Sequence, residues 1–178
     1  MVQINVSQHL KAPIGSIRNY RVSEAVDIAD AKYPVRGEIG LMRTNRSIMA
    51  KGTIRTEIEP TCSRCLSLFN CSLTLNIEEE YFPTTDVVTG TSLSLPDEPG
   101  CFTIDENNIL DLTEAIREYA LLATPMKPLC HQNCIGLCPT CGGNLNQVLC
   151  NCPTKPADLR WAKLSKFVLA DSKASVNE

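Results

Sequence analysis

The chain of 178 residues contains few aromatic side chains and no long hydrophobic run. Only 5% of the residues are Phe, Trp or Tyr, so Ile, Leu, Val and Ala must supply most of a hydrophobic core. No segment approaches the roughly 20 apolar residues that span a bilayer, and residues 1–10 lack the basic and apolar regions of a secretory signal. We therefore expect a protein of the cytoplasm, in a reducing compartment and without a membrane contact.

Basic residues are absent from the middle of the chain. Residues 65–116 contain no Lys or Arg and ten Asp or Glu, whereas the segments on either side carry a small positive excess. The simpler interpretation of this block is a solvated acidic surface, and the functional one is a contact for a basic partner. The first interpretation is favoured, because charge runs are usually solvated.

Alternating apolar and polar residues predict an antiparallel sheet in the first half of the chain. The strongest pattern covers residues 35–41 and 48–58, on either side of a turn near 44–46, and predicts a long hairpin with one buried face. Weaker patterns predict further strands over 2–6, 15–22 and 71–77, and a brief edge strand over 102–104.

Helical spacing is confined to the second half. Asp111 and Glu114 have the spacing of a capping box with Asp111 as the cap, and the helix that follows is expected to end before Pro125. A last helix is predicted from Asp158 to about Leu169. Residues 129–156, between these helices, are polar and without periodicity. We therefore expect that they cannot pack by themselves and need a cross-link to fold.

Ten cysteines require an explanation in a reducing compartment, where disulfides are disfavoured and metal binding is favoured. Structural zinc prefers four thiolates, and a Cys-x-x-Cys turn offers two sulfurs to one metal. Two such turns and four neighbouring cysteines therefore predict one or two structural zinc sites. The proposed metal ligands are Cys62, Cys65, Cys130, Cys134, Cys138, Cys141, Cys150 and Cys152.

The eight cysteines can be divided between two sites in two ways. In the preferred division, Cys62 and Cys65 join Cys130 and Cys134, and the remaining four form a local site. The alternative makes 130, 134, 138 and 141 one site and leaves 62, 65, 150 and 152 for the other. Cys71 is in phase with an apolar strand face and is expected to be a small core residue, and Cys101 is expected to take no part.

The predicted fold class is α+β, with an N-terminal antiparallel β-sheet, a packed helix and a zinc-stapled C-terminal module. The predicted division is a β-rich region carrying the first Cys-x-x-Cys (1–82), a flexible acidic loop (83–100), a strand and capped helix (101–128), a cysteine-rich zinc module with the final helix (129–170) and a polar tail (171–178).

Other uses of the cysteines remain open. Cys138-Pro-Thr-Cys141 matches a redox dithiol, but such a motif normally opens a helix after a strand, and two glycines follow it here. An iron–sulfur cluster also takes four cysteines, although these spacings differ from those of ferredoxins. The only histidines are His9 and His131, and no phosphate loop or catalytic triad is recognisable. We therefore expect no enzyme and no small-molecule substrate.

Several of these motifs together resemble one known family. The segments Thr61-Cys62-Ser63-Arg64-Cys65-Leu66 and Leu129 to Asn146 are similar to the YceD family, the large ribosomal RNA subunit accumulation proteins. Cys150-Asn151-Cys152 and Asp158-Leu159-Arg160-Trp161 also fit its C-terminal pattern, and the resemblance extends from about residue 35 to 164. The resemblance implies a non-catalytic role in accumulation of large-subunit rRNA, through that RNA or an assembly intermediate, reached directly or through a ribosomal protein.

The predicted hairpin carries basic residues that bear on this implication. Arg36, Lys51 and Arg55 lie on its solvent phase and are either a modest phosphate-facing strip or an ordinary polar sheet face. Two other functions are kept as alternatives: a zinc-ribbon adaptor between proteins, and a thiol redox protein using Cys138 and Cys141. The oligomeric state is left open.

Overall fold

The computed structural model describes residues 1–29, 31–96 and 100–153, and the fold is α+β. The described residues contain one seven-stranded curled sheet and two helices. In chain order the elements are β1 (Gln3–Asn5), α1 (Ser7–Leu10), β2 (Ile17–Ile28), β3 (Ala31–Arg43), β4 (Ile48–Ile58), β5 (Cys71–Pro83), β6 (Phe102–Ile104), β7 (Ile109–Asp111) and α2 (Thr113–Ala123).

Strands β2 to β5 form an antiparallel meander that makes up most of the sheet. In β4, alternate residues from Ile48 to Ile58 face the core, and the residues between them are exposed except for the half-buried Met49, as the period of two predicts. The core face is filled mainly by aliphatic side chains such as Ile39, Leu41 and Ile54, all fully buried. The predicted hairpin therefore forms the middle of the β2–β5 meander.

Two glycines fix the closest approach between β3 and β4. A Cβ on Gly37 would lie 2.1 Å from the carbonyl oxygen of Thr53, and a Cβ on Gly52 would lie 2.1 Å from that of Glu38. No side chain can occupy either position without moving the backbone. The pair therefore sets the register in which Arg36 stands opposite Arg55.

The other half of the sheet differs from the sequence prediction. The strand order is β1-β7-β6-β5-β4-β3-β2, so β6 lies inside the sheet, parallel to β5. Its prediction as an edge strand was wrong, because β7 pairs with β6 and the N-terminal β1 then pairs with β7. The patterns of three-residue strands are too short to reveal these long-range pairings.

Helix α2 packs against the sheet through Ala115, Ile116 and Ala120, which are buried. The predicted capping box is not formed: Asp111 belongs to β7, the residue at the cap position is Leu112, and Glu114 forms an ion pair with Arg117. Asp111 nevertheless accepts a 2.8 Å hydrogen bond from the backbone N–H of Thr113. Its carboxylate therefore satisfies one of the N–H groups that have no partner within the first turn of the helix.

Residues 124–153 leave α2 without forming a further helix or strand. They return to the connection between β4 and β5, where Cys130 and Cys134 join Cys62 and Cys65. The predicted helix over 158–169 and the tail over 171–178 lie outside the described residues, and the predicted domain boundaries stay a prediction. No helix in the described part of the chain is long and apolar enough to cross a membrane.

Candidate metal centres

The connection between β4 and β5 presents the first two sulfurs. Thr61 bridges to Leu68, and the chain between them turns tightly, with the N–H of Leu66 bonded to the carbonyl of Cys62 at 3.0 Å. Leu66 has a φ of +58°, a left-handed conformation that closes the turn. This geometry directs Cys62 and Cys65 to the same side, and both are buried.

The second pair of sulfurs arrives from the segment that follows α2. The N–H of Ser63 donates a 2.8 Å hydrogen bond to the carbonyl of Pro128, which attaches this segment to the β4–β5 connection. A turn from His131 to Cys134 then brings Cys130 and Cys134 over the first pair. Phe69, Leu129 and Leu137 pack around this first cysteine group (Cys62, Cys65, Cys130 and Cys134).

The sulfurs of the first cysteine group lie within 4.8 Å of one another. The Sγ atoms of Cys62 and Cys134 are 3.8 Å apart, and those of Cys65 and Cys130 are 3.6 Å apart. A disulfide needs about 2.05 Å, whereas sulfurs at about 2.3 Å from a tetrahedral zinc stand about 3.8 Å apart. The spacing therefore fits a metal and excludes a bond between these sulfurs in this conformation.

The second cysteine group consists of Cys138, Cys141, Cys150 and Cys152, whose sulfurs also lie within 4.8 Å of one another. A turn with Gly142 at φ +72° joins the first two of them, closed by a 2.9 Å bond from the Gly142 N–H to the Cys138 carbonyl. The Sγ of Cys150 is 3.3 Å from that of Cys138 and 3.5 Å from that of Cys141. The structure thus groups the eight sulfurs as the preferred division does, while their ligation of a metal stays a prediction.

Backbone N–H groups favour thiolates at the two Cys-x-x-Cys turns. The N–H of Cys65 lowers the pKa of Cys62 to about 5, and the N–H of Cys141 lowers the pKa of Cys138 to about 6. Burial raises the pKa of Cys130 to about 12, and the sulfur of Cys150 raises the pKa of Cys152 to about 12. Each group therefore contains one cysteine with a lowered pKa, which favours the thiolate, and one with a raised pKa. The second would lose its proton when it binds a divalent cation.

A network of side chains links the two cysteine groups. Asn146 donates to the Sγ of Cys134 at 3.4 Å, accepts from the N–H of Ile135 at 2.9 Å, and bonds to Asn144. Asn144 in turn donates to the hydroxyl of Ser67 in the first turn, at 3.2 Å. Sequence reasoning gave neither asparagine a role, although both lie in the segment from Leu129 to Asn146 that carries the family resemblance.

Arg64 lies inside the first Cys-x-x-Cys turn and donates to the carbonyl of Cys134 at 2.8 Å. Its cation therefore stands next to the first cysteine group, where four thiolates around one divalent ion leave a formal charge of about −2. Lys127, three residues before Cys130, is exposed.

The remaining candidates lie apart from the sulfur groups or at their margin. His131 is exposed, with its Nδ1 3.1 Å from the Sγ of Cys130, and is not one of the four grouped residues. Cys71 is half-buried against the sheet core, and Cys101 is also half-buried. Neither joins a group of potential ligands in the described residues.

The donor sets fit structural zinc. Four thiolates fill a tetrahedral ion, so each group would bind it without leaving an open position for substrate. Bound there, zinc would supply cross-links between chain segments rather than activation of a water. The residues that would hold it are the four sulfurs of each group, supported by Arg64 and Asn146 at the first.

Comparisons with known proteins agree on one family. Residues 50–168 match the family model "Large ribosomal RNA subunit accumulation protein YceD". The maize protein "Large ribosomal RNA subunit accumulation protein YCED homolog 1, chloroplastic" is 30% identical over 155 residues, which cover 74% of this chain and 52% of that protein. The Arabidopsis thaliana protein of the same name is 25% identical over 174 residues, covering 85% and 54%.

An uncharacterized protein of Mycobacterium tuberculosis is 30% identical over 134 residues, covering 72% of this chain and 59% of that protein. The chain thus spans between about half and three-fifths of the length of these relatives. No solved structure matches. Since the family model matches more than half of the chain and includes all eight grouped cysteines, the chain belongs to the YceD family of large ribosomal RNA subunit accumulation proteins.

Proposed function

We propose that this chain is a non-catalytic factor that supports accumulation of large-subunit rRNA during ribosome assembly, with a structural zinc ion in each cysteine group. Family membership carries the ribosomal part, since the matching family model and two plant relatives bear that name. The partner is the large-subunit rRNA or an assembly intermediate that contains it, reached directly or through a ribosomal protein. A cytoplasmic location is part of the same proposal and is tested by cell fractionation.

The zinc part is supported by the spacing and burial of the sulfurs. Distances of 3.3 to 3.8 Å between sulfurs suit the edges of a tetrahedron around one ion. An all-sulfur set gives zinc no open position, which supports a structural rather than a catalytic ion. Two ions are proposed because two complete sets of four are present.

The two alternatives are less well supported by the geometry. A redox dithiol would use Cys138 and Cys141 alone, yet both of their sulfurs also contact that of Cys150, and no helix begins at this turn in the described residues. A zinc-ribbon adaptor would contain the same two metal groups, so only the identity of its partners separates it from the proposal.

Loss of the gene tests the ribosomal proposal. We expect a fall in the ratio of large-subunit to small-subunit rRNA, restored by the wild-type chain and by Cys101→Ser, and restored less well by Cys138→Ser. The wild-type chain should sediment with large-subunit precursors in a sucrose gradient. An unchanged rRNA ratio, or co-purification with RNA polymerase and not with ribosomal precursors, contradicts the proposal.

A further inference from the structure

The outer face of the sheet carries one row of side chains that contains no acid. Across β2 to β5, the row is Ser23, Arg36, Arg55 and Thr74, with adjacent members directly opposite in the register. All four are exposed. Because neighbouring strands are about 4.8 Å apart, the row is about 14 Å long and is made of hydrogen-bond donors.

The two arginines in this row oppose each other without an ion pair. Like charges directly opposite on adjacent strands repel, so the arrangement works against the sheet that holds it. Two other cations on the same face are paired: Arg21 lies 3.5 Å from Glu38, and Lys51 lies 2.9 Å from Glu78. Lys32, near the start of β3, stands opposite Asp27 at the far end of the face. Neither Arg36 nor Arg55 has such a pair among the described residues.

The sequence pattern places Arg36, Lys51 and Arg55 in one candidate phosphate-facing strip, and the ion pairs separate its members. Lys51 is neutralised by Glu78, and the unneutralised charge is concentrated on Arg36 and Arg55. Their register is held by Gly37 and Gly52, where any side chain would strike the backbone of the facing strand. The two guanidinium groups are thus held side by side by the fold itself.

A groove of about 810 Å³ runs over this part of the face. Arg36, Arg55 and Thr74 line it together with the acids Glu38 and Glu57, and none of its lining residues is aromatic. Protein interfaces are enriched in aromatic anchors, and proteins that bind single-stranded RNA stack its bases on aromatic rings. Neither kind of contact is available in this groove.

We propose that the row from Ser23 to Thr74 binds the phosphate backbone of double-stranded RNA, with Arg36 and Arg55 as the phosphate ligands. Duplex RNA is recognised mainly through phosphates and 2′-hydroxyls rather than through stacked bases, and this is the chemistry that two guanidinium groups flanked by hydroxyls can supply. Glu57 lies on the same face two residues from Arg55 and makes the site modest in strength. The inference rests on the proposed ribosomal function and assigns that function a direct RNA contact.

The test measures binding of the full-length, zinc-loaded chain to a fluorescent 20-base-pair RNA duplex by anisotropy across a series of salt concentrations. The double variant Arg36→Gln/Arg55→Gln should bind at least tenfold more weakly, and its dependence on salt should be shallower by about one unit of log–log slope per lost phosphate contact. A single-stranded RNA of the same length should bind more weakly than the duplex. Removal of a like-charged pair should leave the melting temperature unchanged or raised, which separates lost binding from lost folding.

The matched control is Lys11→Gln/Arg46→Gln. It removes the same two charges from exposed positions near the β3–β4 turn, at the other end of these strands, and should change duplex binding less than threefold. Equal losses in the two double variants, an absence of duplex binding at low salt, or displacement of the duplex by poly-L-glutamate as readily as by unlabelled duplex would overturn the inference. The last result would indicate an acidic protein as the partner.

The binding measurement tests the RNA contact and the genetic test examines the proposed function, so one can fail without the other. If the duplex binds as expected but gene loss leaves the rRNA ratio unchanged, the proposed function is wrong and the RNA contact stands. If gene loss depletes large-subunit rRNA but Arg36→Gln/Arg55→Gln binds the duplex like the wild type, the function stands and this surface is not its RNA contact.

Discussion

The two cysteine groups differ in how much of the chain each one closes. In the first, the contact between Cys65 and Cys130 joins positions 65 residues apart, whereas the contact between Cys141 and Cys150 in the second spans nine. The first group is largely buried, and the second includes the exposed Cys141. The entropy lost on closing a loop rises with its length, so a metal at the first group would remove more disorder from the unfolded chain.

This difference assigns the two groups separate structural tasks. A metal at the first group would attach the segment after α2 to the β4–β5 connection and so maintain the tertiary arrangement. A metal at the second would organise only the loop from 137 to 152. The meander β2–β5 belongs to an aliphatic core that contains neither group, so we expect it to stay folded without a metal.

The largest effect is expected from Cys62→Ser. This change removes one ligand of the first group, where structural zinc in general contributes on the order of 10 kcal/mol to folding. Metal analysis should show one zinc lost per chain, and hydrogen exchange should show lost protection at 61–68 and 128–152 with β2–β5 still protected. A zinc content equal to that of the wild type would contradict the ligand assignment.

A smaller effect is expected from Cys138→Ser. The second zinc should be lost, and protection should fall over 137–152 while the first group keeps its metal. Cys101→Ser is the matched control, because Cys101 belongs to neither group and its loss should change the melting temperature little. Equal destabilisation by these two variants would show that the groups do not divide as described.

The pH dependence caused by His9 reports on the stability of the sheet and not on that of the metal groups. It is fully buried, its ring nitrogens have no hydrogen-bond partner among the described residues, and burial followed by the charge of Arg18 lowers its pKa below 6.5. The unfolded chain therefore binds a proton more readily, so the stability contributed by neutral His9 is complete above about pH 6.5 and falls as the pH drops below it.

His9→Leu should remove that part of the pH dependence and stabilise the sheet by about 1 kcal/mol, because it replaces an unpaired polar group with an apolar one. The measurement is the free energy of unfolding between about pH 5.5 and 7.5, at the pH range where histidines titrate. An identical pH dependence in both proteins would contradict the role given to His9.

The smallest effect is expected from Asn146→Ala. The change removes the hydrogen bonds that connect the loop of the second group to Cys134 and Ile135 of the first, at a cost of about 1 kcal/mol. We expect faster zinc transfer to a chelator with an unchanged zinc content at the start. Asn133→Ala, at an exposed asparagine, is the control and should release zinc at the wild-type rate.

Sequence patterns predicted the parts of the fold whose contacts are local. The hairpin of β3 and β4 followed from the alternation around Ile48 to Ile58, and the helix α2 followed from its apolar spacing. The pairing of β1 with β7 could not be predicted, because it joins Gln3 to Asp111 across most of the described chain and neither strand exceeds three residues. Asp111 was taken for a helix cap for the same reason.

The sulfur groups show the same limit at the candidate site. Spacing identified all eight cysteines that now lie in two groups, yet it left two divisions open. The choice depends on the bond from Ser63 to Pro128, a contact between segments that only the tertiary structure brings together. The row of Ser23, Arg36, Arg55 and Thr74 could likewise be recognised only once the register of four strands was known.

Metal content measured together with hydrogen exchange tests the central claim most directly. Protein purified under reducing conditions should contain two zinc ions per chain in native mass spectrometry. Removal of the zinc with a chelator should abolish protection at 61–68 and 128–152 and leave the β2–β5 meander protected. Reduced, metal-free protein in which those segments keep their full protection would contradict the claim that zinc bound by the eight sulfurs folds these two segments.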